Sequence, residues 1–156
     1  FRPYLRTEEG LASLHSLLPK SEKVNWHSCL WYLCVDWAQK YSFLEVWHRL
    51  GQYLQNPLTR WRYTTRAKRG LIDTSQPGGF TKDLVYFEGM HLVWRWLRDH
   101  QFNPSELYLG KLHHLDTDQA RQLNPSFHPR LPSFFTSSPK LYAKQMQLIG
   151  TLNHLD

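Results

Sequence analysis

An all-α fold is predicted by three observations on the sequence. Apolar residues recur at three- and four-residue spacing along most of the chain. Helix-starting and helix-stopping residues bracket those stretches, and no alternating run of strand type occurs. Of 156 residues, 41% are hydrophobic and 15% aromatic. That composition supports one packed core and excludes a disordered chain.

Each element has a local reason. Thr7 is placed to cap a first helix, with Glu8 and Glu9 in its first turn, where carboxylates suit the positive end of the helix dipole. Leu11, Leu14, Leu17 and Leu18 would face a core. Gly10 is the anomaly, since glycine inside a helix costs about 1 kcal/mol against alanine. It makes sense where another group must approach the backbone closely. Asn25 can cap a second helix with the stripe Leu30, Leu33, Cys34, Trp37 and Tyr41. Ser42 and Glu45 have the spacing of a capping box, followed by Phe43, Val46, Trp47, Leu50 and Leu54. Asn56-Pro57 opens a further helix that Gly70 closes.

Residues 71–80, "LIDTSQPGGF", form a loop, after which Thr81 is expected to cap a long helix reaching Arg98. Short helices are predicted over 104–109 and 116–123. The four prolines of 124–139 predict an extended segment that hugs the surface. Ser138-Pro139 starts a last helix carrying Leu141, Leu148, Ile149, Leu152 and Leu155.

The formal charge is +6, which admits nucleic acid, an acidic protein or an anionic membrane surface as partner without choosing among them. No run of eighteen apolar residues is long enough to span a membrane. Cys29 and Cys34 would lie about 140° apart around one helix, too divergent for a disulfide, so reduced thiols and an intracellular, reducing compartment are expected. The chain starts at Phe1 rather than Met, which reads as a fragment, a processed product or part of something longer.

Nine histidines invite a metal search. A zinc-peptidase helix needs H-E-x-x-H, which sets two imidazoles on one face with a glutamate as general base. The chain has no such motif and no H-x-x-x-H spacing at all. "WRYTTRAKRG", 61–70, is the densest basic stretch, with Arg62, Arg66, Lys68 and Arg69 interleaved with Trp61 and Tyr63. It is open to three readings: a solvated helix end, a wall that binds carboxylates, or a nucleic-acid contact.

"TEEGLASLHSLL", "RWRYTTRAKRGLIDTSQPGGFTKDLVYFEG" at 60–89 and "LGKLHHLD" at 109–116 resemble, in order and in spacing, the microtubule-associated tyrosine carboxypeptidase family. The resemblance implies the C-terminal helical half of a gluzincin-like zinc metallopeptidase domain. In that family two histidines of an upstream H-E-x-x-H helix and the glutamate of E-G-L-A bind one zinc. Glu9 matches the third ligand, and Gly10 would leave room for the metal-bearing helix. The resemblance also implies that Lys68, Arg69 and Lys82 bind substrate and that Tyr86 is a catalytic hydroxyl, without assigning a separate role to each cation.

On this reading residues 1–123 are the helical part of the domain, and 124–156 are a proline-bearing segment with a terminal helix. Zinc is expected only if a partner segment supplies H-E-x-x-H. A half-domain should need a protein partner over the helix of Glu9, because the apolar stripes on 7–18, 25–41 and 81–98 cannot all be satisfied internally. Two functions follow. One is an enzyme half, inactive alone. The other is a catalytically dead subunit of a large assembly, such as a mitochondrial ribosome, a respiratory complex or a microtubule-bound one. The compartment, mitochondrial or cytoplasmic, is not resolved at this level.

Overall fold

The computed structural model describes residues 1–156 and contains eight α-helices and no strand. They are α1 (Leu5–His15), α2 (Trp26–Ala38), α3 (Phe43–Leu50), α4 (Pro57–Lys68), α5 (Leu84–Asp99), α6 (Thr117–Leu123), α7 (Ser133–Thr136) and α8 (Pro139–Leu152). Two 3-10 turns, Thr81–Asp83 and Ser105–Tyr108, stand in the connections.

Helix starts follow the capping chemistry at three places. At α3, Ser42 and Glu45 form the reciprocal capping box. The Asn56 side chain accepts the Thr59 N–H at 3.0 Å, with Pro57 in the first turn of α4. Ser138 accepts from Leu141 N–H at the start of α8. Three other expected caps are spent elsewhere. α1 begins two residues before Thr7, whose side chain turns to His114. Asn25 points its amide at the Met90 sulfur. The stretch after Phe80 winds first as a 3-10 turn rather than starting α5 on a Thr81 cap. In each case a partner distant in sequence, or tighter local winding, takes the place of the local bond.

The chain divides into two compact units, Phe1–Asn25 with Glu88–Asp156, and Trp26–Phe87. This division differs from the expected boundary at 123/124. The segment 124–156 belongs to the same unit as α1, and α7 interrupts the extended run.

In the second unit, Leu30, Cys34, Val35 and Ala38 of α2 pack with Val46 and Leu50 of α3 and with Tyr63 and Ala67 of α4. Cys29 and Cys34 are both free thiols, and burial pushes the Cys34 thiol up to about 12.

In the first unit, Leu14, Leu17, Met90, Val93, Leu97, Met146, Ile149 and Leu155 are fully buried. The Trp94 indole lies against the Gly150 backbone and donates to the Met146 carbonyl at 2.8 Å. Of the stripes expected to stay unsatisfied, the chain itself covers Leu14 and Leu17, Leu30 and Cys34, and Val93, Trp96 and Leu97, while Leu11, Leu18, Leu33, Trp37, Leu84, Val85 and Leu92 are only half-buried. Exposed apolar side chains include Leu141, Leu148 and Leu152 of α8, Leu44, Leu58 and Trp61, and the loop residues Ile72 and Leu115.

Candidate substrate cleft and the Glu9 helix

α1 is fixed at both ends and in the middle. The Arg2 N–H donates to Asp116 at 2.6 Å, and the Arg2 guanidinium pairs with the same buried carboxylate. That N–H, ahead of any other cause, holds the Asp116 carboxyl below its ordinary range. Thr7 accepts the His114 N–H at 3.0 Å and sits 3.3 Å from its Nδ1. Burial, then the neighbouring His113 and Arg2, lower the His114 imidazole from 6.5 to about 4.

In mid-helix a Cβ on Gly10 would meet the Gly89 carbonyl carbon and oxygen at 2.2 Å. The close neighbour required by Gly10 is thus α5 of the same chain, rather than an outside metal-bearing helix. At the C-terminal end, His15 Nε2 lies 2.8 Å from the Tyr142 hydroxyl and Nδ1 lies 3.3 Å from the Tyr108 hydroxyl. Burial lowers the His15 imidazole to about 4. On this rigid helix the Glu9 side chain is half-buried and makes no hydrogen bond or ion pair, while Glu8 pairs with Lys111 at 3.4 Å.

The second unit carries a cleft of about 540 Å³ lined by Trp31, Trp61, Arg62, Tyr63, Thr65, Arg66 and Arg69. Six of these seven come from α4 and its end, and five of them, Trp61, Arg62, Thr65, Arg66 and Arg69, recur at three- and four-residue spacing, so one face of the helix forms a wall. The guanidinium of Arg66 donates to Asp83 through two nitrogens, at 2.6 and 2.9 Å, and lies 4.4 Å over the Trp31 ring. Asp83 is 1% exposed. Arg69 reaches the same carboxylate at 3.6 Å and stacks on Phe80 at 4.0 Å. Arg62 has no ion-pair partner. The cleft therefore presents three guanidiniums against one carboxylate, among rings, and favours an anionic ligand with a flat apolar part. Burial raises the Tyr63 phenol to about 12, so it faces this cleft uncharged.

A model of the family described as "Microtubule-associated tyrosine carboxypeptidase" matches residues 5–151. The chain belongs to that family. It is 40% identical over 157 residues to microtubule-associated tyrosine carboxypeptidase 1 of Mus musculus, a match that covers 99% of this chain and 33% of that protein. To the protein of the same name from Homo sapiens it is 38% identical over 155 residues, covering 99% and 32%. The chain thus spans about a third of the length of the curated relatives it matches. The matches bear out the family but do not bear out the narrower expectation of a C-terminal half.

Within this family member the expected site residues fall differently from one another. Arg69 lines the cleft. The Tyr86 ring packs 5.3 Å from Trp31, and its hydroxyl hydrogen-bonds Arg66. Lys82 is exposed on the 3-10 turn, with no ion pair. Lys68 departs from its expected role. It is 1% exposed, and its ammonium donates to the carbonyls of Ala38 at 3.0 Å, Tyr41 at 2.5 Å and Gln76 at 2.7 Å. An ammonium has three protons, and all three are committed, so Lys68 has none for a substrate. It serves the fold, tying the loop before α5 to the end of α2, and burial lowers its pKa.

Trp31 was not among the expected site residues, and Arg62 and Trp61 stood only within the basic stretch 61–70 that was open to three readings. The signal was present in the repeat Arg62, Arg66, Arg69 on one helical face, which outranks the contiguous R-A-K-R-G string because the middle residues of that string, Ala67 and Lys68, point inward. No three histidine, cysteine, aspartate or glutamate side chains converge anywhere in the chain. Glu9 is a single donor, so these residues by themselves do not fit the zinc that the family resemblance implies.

Proposed function

We propose that this chain supplies the substrate-holding part of a carboxypeptidase-like domain, acting on a peptide that ends in an aromatic residue, with tyrosine the residue named by its relatives. The observation that carries the reading is the cleft of α4, where Arg62, Arg66 and Arg69 surround Trp31 and Trp61. A C-terminal carboxylate suits the arginine fork, and an aromatic side chain suits the indole walls. Arg69 and Arg62 hold the carboxylate. Arg66 is fixed by Asp83 and sets the cationic field. Lys82 is the exposed cation for residues further along the peptide, and Tyr86 is the hydroxyl for the oxyanion. Glu9 is offered as one metal ligand. Zinc belongs to the proposal only with a partner segment that bears H-E-x-x-H, and without it the chain binds and does not cleave. A microtubule-associated setting is favoured over a mitochondrial one, because the relatives' name says so.

The test is fluorescence anisotropy with three labelled peptides: one ending in free tyrosine, its amide, and one ending in alanine. The free tyrosine peptide should bind at least tenfold tighter than the other two, and Arg69→Ala should abolish the difference. Equal affinities for acid and amide would overturn the reading. A second reading, a structural subunit of an assembly, is favoured by the exposed apolar face of α8. It expects no preference for the free carboxylate.

A further inference from the structure

α8 has a face that its own unit leaves open. Leu141, Leu148 and Leu152 are 55%, 44% and 43% exposed. Their seven- and four-residue spacings put them within a narrow stripe about 16 Å long, at 1.5 Å rise per residue. The opposite face, with Tyr142, Met146 and Ile149, is buried, so the exposed leucines are not a rotated core.

At the start of the stripe lies a cavity of about 280 Å³ lined by Leu18, Lys23, Phe134, Leu141, Tyr142 and Gln145. It is large enough for one apolar side chain. Gln145 sits on the stripe between Leu141 and Leu148, and its Oε1 is shut off from solvent with no hydrogen-bond partner.

Charge selects the occupant. Lys140 and Lys144 are exposed along one edge of the stripe, and α8 has no acidic residue. The Lys23 ammonium, held by the carbonyls of Leu17, Leu18 and Lys20, adds positive charge at the cavity. Two copies of α8 laid together would set lysine against lysine without a carboxylate on either. A second copy of this chain is therefore disfavoured, and an acidic partner is favoured.

We infer that the outer face of α8 docks an amphipathic helix of another protein. Its apolar stripe covers Leu141, Leu148 and Leu152, one side chain enters the cavity beside Phe134 and Gln145, and glutamates or aspartates flank the seam. This is helix-in-groove recognition, with leucines as anchors and the lysines fixing which side of the partner faces in.

The probes are two synthetic helical peptides that share leucines at matching spacing. One carries glutamates along the flank and the other carries lysines. Binding to the full 156-residue chain is read by anisotropy at low and high salt. The glutamate peptide should bind at least tenfold tighter at low salt, and the gap should narrow as salt rises. Lys140→Glu with Lys144→Glu should invert the preference. Leu148→Glu should abolish binding of both peptides while the helical circular dichroism and thermal midpoint hold, since Leu148 packs in no core; Leu148→Ala, which adds no charge, checks the same loss. Equal binding of the two peptides, or no binding of either, overturns the inference. So does sedimentation of the chain alone as a dimer that Leu148→Glu dissociates, because a second copy is then the occupant.

Discussion

Gly10 of α1 and Gly89 of α5 cross backbone to backbone. A Cβ on Gly89 would lie 2.0 Å from the Arg6 carbonyl oxygen, just as one on Gly10 would strike Gly89. Neither contact ends on a flexible side chain, so neither can yield by rotation. This crossing sets the depth at which the helix of Glu9 lies in its unit.

Gly10→Ala tests it. Helix propensity alone would stabilise the substitution by about 1 kcal/mol. The backbone clash reverses the sign, and a loss on the order of 3 kcal/mol is expected, at the upper end of overpacking costs. Urea unfolding measures it. An unchanged or raised midpoint would mean that the two helices do not pass this closely.

Lys68 is the second case. Lys68→Met keeps the bulk and removes three charge-assisted hydrogen bonds to carbonyls. Destabilisation of about 3 kcal/mol is expected, because buried acceptors are left without donors. The free-tyrosine peptide should bind the folded fraction with affinity within threefold of the parent chain. A large affinity loss in fully folded Lys68→Met would return Lys68 to the substrate.

Asp83 organises two of the three cleft arginines. Asp83→Asn leaves Arg66 without its carboxylate. Removing one partner of a fully buried pair costs about 3–5 kcal/mol. Arg66 is 35% exposed, so solvent screens the remainder and about 2 kcal/mol is expected. Chemical denaturation of the variant gives the value, and a change below about 0.5 kcal/mol would show that the pair is not maintained in solution.

Acid should destabilise the fold through His15 and His114. Both imidazoles are lowered from 6.5 to about 4 in the folded chain. The unfolded chain therefore binds protons first as pH falls. Stability contributed by the neutral, buried rings is fully present above pH 6.5 and is lost between pH 6.5 and 4. Urea midpoints measured across that window should fall, and His114→Gln should flatten part of the slope. A flat profile from pH 7 to 4 would contradict the burial of both rings.

The helices were legible because their signals are local. Ser42 with Glu45, and Asn56 with Pro57, cap where their spacing says, since a capping bond closes within one turn. Thr7 and Asn25 misled for the opposite reason. His114 and Met90 lie far along the chain from the residues they engage, and no window of sequence contains both partners. Arg69 was named through the family motifs, and Arg62 within the basic stretch 61–70; both line the cleft. Trp31 was not named, because a cleft wall is a property of one face of α4 and of the α2 residue packed beside it.

By itself the sequence determined that the chain is helical, that it carries the motifs of its family, that Gly10 needs a close neighbour, and that no metal site of the H-E-x-x-H kind lies within these residues. Those properties depend on residue type and on spacing within a few turns. The tertiary structure alone decided that the neighbour of Gly10 is Gly89, that Lys68 gives its protons to carbonyls, that Asp83 holds Arg66 and Arg69, and that α8 rather than α1 is left with an apolar face. Each of these depends on which distant segments meet. That choice is set by burial summed over the whole chain, and two stripes with the same spacing, one on α5 and one on α8, carry no mark in sequence of which will be covered.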